Sequence, residues 1–128
     1  MATYPDGQVA GAVKRFADYT AIVLCHPAPN AAFMRTLFNQ MGIHIYERLN
    51  TWNHYFFTGP LVGIYSRQKS HSSLAFPETY EVIADVFTGE VLARNADRVD
   101  IEMPDEPATR ILFTGSNAEW EQVRNLVK

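Results

Sequence analysis

The sequence predicts an α+β fold: an N-terminal βαβ unit, then an antiparallel β-sheet or small sandwich, then a C-terminal helix. Three observations predict it. A dense apolar run at residues 19–25 is followed by a stripe of helical period and a second short apolar run. Residues 51–115 carry short β-like runs at close spacing, separated by turn residues. A helix-capping signature opens the last dozen residues. The expected layout is residues 1–50, 51–115 and 116–128, packed as one compact domain.

Pro5-Asp6-Gly7 is a turn, because proline presets φ and glycine takes the left-handed position. Two readings compete for the residues after this turn. A helix over residues 8–17 would have to carry Gly11 and two valines. A strand sets Val9, Gly11 and Val13 on one face and Ala10, Ala12 and Lys14 on the other, and is favoured. Residues 19–25 are rich in β-branched side chains and nearly continuous in apolarity, the pattern of a strand buried on both faces. Residues 15–18 then form the hairpin connection. Beyond Pro27 and Pro29, residues 30–41 read as a helix. Met34, Leu37, Phe38 and Met41 fall at i, i+3, i+4 and i+7, and Gly42 sits where a left-handed C-cap is wanted. Residues 43–46 read as a short strand. Strand, helix and strand with short links predict two parallel neighbours.

After Asn50 the β-like runs are 54–57, 61–66, 72–76, 80–87, 90–93, 98–103 and 109–113. Residues 98–103 alternate polar and apolar at every step, the mark of one wet face. Residues 67–73 are polar and Ser-rich, a loop tip. Ser116 and Glu119 form a capping box, and Trp120, Val123, Leu126 and Val127 line the helix that it opens.

Composition narrows the function. The 128 residues carry a net charge of −3, so there is no basic footprint for nucleic acid or anionic lipid. A single cysteine excludes an internal disulfide. No apolar run approaches the roughly 18 residues of a membrane span, and the N-terminus lacks a secretory pattern. The expectation is a cytoplasmic chain without a membrane or nucleic-acid partner. The four histidines show no metal-ligand spacing, and no Gly-rich phosphate loop is present, so neither metal nor cofactor is expected. Cys25 and His26 are the catalytic candidates, since a thiol beside an imidazole suggests nucleophilic chemistry. On a strand, however, adjacent side chains point to opposite faces, and a buried thiol is the alternative. Asp85, inside an apolar run, reads as an anchor for turn amides near Thr88 and Gly89. Trp52, Tyr55 and Tyr65, with His44, are candidate ligand-binding residues. Aromatic platforms stack on sugar rings, although core packing uses the same residues.

Several phrases carry a family resemblance: Pro5-Asp-Gly-Gln-Val-Ala10, Arg15-Phe-Ala-Asp-Tyr-Thr-Ala-Ile22 and, above all, Gly42-Ile-His-Ile-Tyr46. They resemble the closing part of the α/β domain that follows the catalytic barrel of some glycoside hydrolases, similar to the β-galactosidase trimerisation domain. Leu74-Ala-Phe-Pro77, residues 85–92 (Asp-Val-Phe-Thr-Gly-Glu-Val-Leu) and Thr109-Arg-Ile-Leu-Phe113 resemble the small C-terminal β domain of the same enzymes. The resemblance implies a partial flavodoxin-like unit at the N-terminus. Catalytic carboxylates of such enzymes lie on the barrel, which these residues do not include. The helix after Gly115 is outside the pattern. The implied role is therefore a non-catalytic structural or oligomerisation module, partnered by its own copies or by an upstream barrel. A carbohydrate or small-molecule binding domain is the alternative, and a small enzyme using Cys25 and His26 a third.

Overall fold

The computed structural model describes residues 2–25, 30–49 and 51–127. They form a mixed α+β fold with mostly antiparallel sheet and two helices. The chain divides into two compact units, Met1–Gln40 and Met41–Lys128.

The first unit holds β1 (Ala2–Thr3), β2 (Val9–Arg15), β3 (Thr20–Leu24) and α1 (Ala31–Gln40). The strands make an antiparallel sheet in the order β1-β2-β3. Gly7, at φ 83°, closes the predicted turn, and Asp6 Oδ1 accepts the Gln8 amide at 3.0 Å. The β2–β3 hairpin pairs Val13 with Ile22, and its connection closes where the Phe16 amide donates to the Tyr19 carbonyl at 2.8 Å. Asn30 opens α1 by accepting the Phe33 amide at 2.8 Å, the capping role that asparagine favours. One expectation fails here. β3 is not buried on both faces: Val23 is 60 % exposed, and Gly11 is the only buried residue described in this unit. Continuous apolarity signals a strand, but burial needs covering layers, and three short strands with one helix do not supply them.

The second unit holds β4 (His54–Thr58), β5 (Leu61–Ser66), β6 (Ser70–Asp85), β7 (Val91–Met103), β8 (Ala108–Gly115) and α2 (Asn117–Leu126). Its sheet runs β4-β5-β8-β6-β7, antiparallel throughout. Strand, helix, strand is the chain order through β3, α1 and β4, but the expected parallel strand over residues 43–46 is absent. After Gly42, at φ 71°, this stretch runs beside the first half of β6, where β8 does not reach. The Ala75 amide donates to the Tyr46 carbonyl at 2.7 Å and the Arg48 amide to the Ser73 carbonyl at 2.9 Å. A single antiparallel bridge joins Glu47 to Leu74. An open sheet edge captured residues that the short apolar pattern had suggested would pair in parallel.

Two other strands are longer than their patterns. The separate runs expected at 72–76 and 80–87 are one strand, β6, and those at 90–93 and 98–103 merge into β7. The residues that look like breaks are irregularities within the ladder. Pro77 lies in a register shift between Ala75 and Tyr80, where proline costs no ladder bond. Asn95 takes φ 48° inside β7, a conformation asparagine tolerates.

The main core joins Val62 and Ile64 of β5, Leu74, Phe76 and Ile83 of β6, Val99, Ile101 and Met103 of β7, and Leu112 of β8. The alternation read over 98–103 is borne out, with Val99, Ile101 and Met103 buried. A second cluster, Val82, Ala84, Phe113 and Trp120, seats α2 on the other face. The Trp120 ring stacks on Phe113 at 5.6 Å. The capping box is present as read, and Glu81 accepts the Asn117 backbone and side-chain amides at 2.9 and 2.8 Å, pinning the start of α2 to β6. Leu126 stays 85 % exposed, so the apolar face of this helix is buried only over its first turns. No helix among the described residues is long and apolar enough to cross a membrane.

Candidate functional site

The second unit contains a connected polar network beneath an open pocket. It begins at Glu47, a carboxylate that burial would make costly without partners. Its Oε1 accepts the Leu49 amide at 2.7 Å and the Ser73 amide at 3.3 Å. Its Oε2 accepts the hydroxyls of Tyr55 and Thr51. The Tyr55 oxygen lies 2.9 Å from both Thr51 Oγ1 and Ser72 Oγ. Asn53 Nδ2 donates to Ser72 Oγ at 2.7 Å, and Ser70 Oγ donates to Asn53 Oδ1 at 3.0 Å. Ser66 ends the chain, 3.2 Å from Ser70 and donating to the Gln68 carbonyl at 2.6 Å. The periodicity of β6 builds this: Ser70 and Ser72 lie two apart and share a face. Among the described residues no buried side-chain polar atom lacks a partner.

Burial, followed by the bond to Glu47, raises the Tyr55 phenol above its ordinary value. It stays protonated at neutral pH and acts as a donor. The network thus has no spare reactive group. It fixes side chains, and it holds Asn53, Ser66 and Ser70 at the pocket.

That pocket has a volume of about 550 Å³ and opens between the approach to β4 and the β5–β6 turn. Trp52, Asn53 and His54 form one side, and Arg67 and Gln68 face them. Trp52 is 88 % exposed.

The structure separates the candidates that the sequence suggested. Trp52 lines the pocket. Tyr55 lies in the network under it. Tyr65 sits opposite His54 in the β4–β5 ladder, with ring centroids 6.1 Å apart. His44 is elsewhere: its Nε2 lies 2.7 Å from the Ala75 carbonyl and its ring meets Tyr46 edge-on at 4.7 Å. Cys25 is exposed rather than buried in a core strand, and His26 lies outside the described residues. No group of three His, Cys, Asp or Glu side chains among the described residues could hold a metal ion.

Asp85 is the anchor the sequence suggested. Its Oδ1 accepts the amides of Phe87 and Thr88 at 2.9 and 3.0 Å, and Arg110 Nε donates to Oδ2 at 2.7 Å. Burial pushes its carboxyl up, but the Thr88 amide, the Arg110 guanidinium and the Phe87 amide outweigh that and hold it below the usual range.

Sequence reasoning missed Glu47, Asn53, Arg67 and Gln68. One signal was available: no acidic residue lies between Glu47 and Glu78, although the chain has 14. No family model, curated protein or solved structure matches this chain.

Proposed function

We propose that this chain is a non-catalytic structural module related to the C-terminal region of glycoside hydrolases, and that it works by association with a second copy of itself. The observation that carries the reading is the poverty of the first unit's core. Gly11 is its only buried residue described, while Val9, Val13, Tyr19, Val23 and Phe33 are exposed. An apolar cleft of about 330 Å³ remains open among β2, β3 and α1, lined by Ile22, Leu24, Phe33 and Leu37. A forty-residue unit that encloses so little apolar surface needs a partner to be stable. The outer edge of β3, Thr20–Leu24, carries no charge to discourage pairing, and two antiparallel copies of one edge satisfy a two-fold axis. The motifs of residues 42–46 and 85–92 support the family relation.

Size-exclusion chromatography with light scattering tests this. A dimer or larger species is expected, and Val23→Asp, which puts a charge on an exposed site, is expected to dissociate it with the second unit still folded. A strict monomer at millimolar concentration would overturn the reading.

A further inference from the structure

We propose that the pocket beside Trp52 binds an acidic saccharide, a pyranose carrying a carboxylate or sulfate. The reading goes beyond self-association and stands on different residues.

Three observations converge. The first is the indole of Trp52. An almost fully exposed ring at the lip of a 550 Å³ recess leaves a flat apolar face in water. The C–H face of a pyranose covers such a ring while its hydroxyls remain hydrated.

The second is fixed polar geometry. Asn53 is clamped by Ser70 at 3.0 Å and by Ser72 at 2.7 Å, and the Gln68 carbonyl is tied to Ser66 at 2.6 Å. Ser66 and Ser72 are buried. The Asn53 side chain is therefore held at the wall of the recess in a position set before any ligand arrives. Preorganised donors bind hydroxyls without the entropy cost of ordering a loop.

The third is charge. The chain is acidic overall, yet residues 48–77 contain Arg48, Arg67 and Lys69 and no carboxylate, and Glu47, the acid of the network beneath, is buried with its oxygens taken by Leu49, Ser73, Tyr55 and Thr51. Neither Arg67 nor Lys69 joins an ion pair among the described residues. The nearby acids Asp100 and Glu102 are engaged by His71, at 3.8 and 2.6 Å. Arg67 is exposed on the β5–β6 turn and faces the Trp52 side of the recess. A guanidinium there suits a planar carboxylate or a sulfate bidentately. A neutral sugar would use the indole and the amides and leave this cation without a role.

The full chain is titrated with oligogalacturonate and chondroitin sulfate hexasaccharides, with the neutral hexasaccharide cellohexaose, and with sodium sulfate, following tryptophan fluorescence. Trp120 is buried on Phe113, so a ligand-dependent change reports Trp52. At least one acidic oligosaccharide is expected to bind, with affinity falling as salt rises. Trp52→Ala, which removes the reporter and is therefore followed by isothermal titration calorimetry, and Arg67→Gln, followed by both methods, are at exposed positions and are expected to keep the fold while weakening binding at least tenfold. Equal affinity for cellohexaose would overturn the acidic preference. Equal affinity for free sulfate would overturn the saccharide. Undiminished binding by Arg67→Gln, or no binding of either acidic probe, would overturn the site.

Discussion

Replacing Asp85 tests how the C-terminal end of β6 is held. The carboxylate is 2 % exposed and takes three bonds, two from turn amides and one from Arg110. Asp85→Ala strands two backbone donors, worth about 1–1.5 kcal/mol each, and breaks a charge-assisted bond of about 1.5–3 kcal/mol. The Arg110 side chain is 22 % exposed, so water recovers part of its charge and the lower end of that range applies. The expected loss is about 4 kcal/mol. Asp85→Asn keeps an acceptor for both amides but points an NH₂ at the Arg110 N–H, for a loss of about 2 kcal/mol. In urea titrations read at Trp120, a slope of about 2 kcal/mol/M turns these into midpoint shifts of about 2 M and 1 M. The folded carboxyl titrates below its unfolded value of 3.8, so its contribution is present above that value and fades as pH falls through the folded pKa. The Asn variant should therefore lose less stability between pH 5 and pH 2 than the parent chain. A midpoint for Asp85→Asn within about 0.3 M of the parent, or simple additivity between Asp85→Asn and Arg110→Met, would refute the anchor.

Ser116→Ala removes the acceptor for the Glu119 amide and one half of the capping box, and should cost about 1 kcal/mol with loss of α2 helicity in circular dichroism. Gly115→Ala places a Cβ 2.6 Å from Phe113 Cζ and 3.0 Å from Glu119 Oε2; Phe113 is packed on Trp120 and cannot yield, so a loss of about 1–3 kcal/mol is expected in the same titration. Tyr55→Phe should change the alkaline limb: the raised phenol of the parent contributes stability that is lost as pH rises above 10.0 through the folded value, and the variant should show a shallower decline between pH 9 and 11 in urea midpoints. Tyr80, raised by burial and by Glu78, supplies the slope that remains.

What the sequence made legible was local. The capping box, the Pro5-Asp6-Gly7 turn, the helix α1 and the Asp85 anchor each need only a few neighbouring residues, and all four stand in the structure, while Met41 of the expected stripe falls beyond α1 and is exposed. The placement of residues 43–46 was not legible, because it depends on which stretch of β6 lies open once β8 has paired with Val82–Asp85. The same limit hid the polar network. Glu47, Tyr55 and Ser72 are spread over twenty-six residues, and nothing in their local spacing says that β4 and β6 will bring them together. Trp52 was legible as an aromatic, but its exposure was not. Apolar side chains enter cores and surfaces alike, and only the fold decides between them.

β6 shows why alternation alone misplaces burial in this chain. Leu74 and Phe76 enter the main core, and strict alternation would send Val82 and Ala84 there after them. The core takes Ile83 instead, while Val82 and Ala84 face α2. The register supplies the reason. Between Ala75 and Tyr80 the strand advances five residues while β7 advances two, from Arg98 to Ala96. The excess is three, an odd number, so the phase of the strand is reversed by Val82, although Tyr80 still packs edge-on to Phe76 beside the main core. Pro77 marks the place, since its missing N–H suits a position without a ladder partner. The change of face lets one strand serve both layers. Its first half closes the polar network with Ser70 and Ser72 and supports Leu74 and Phe76. Its second half lays Val82 and Ala84 under Trp120 and ends in the Asp85 anchor. A strand of constant phase would leave either the main core short of Ile83 or α2 without a seat.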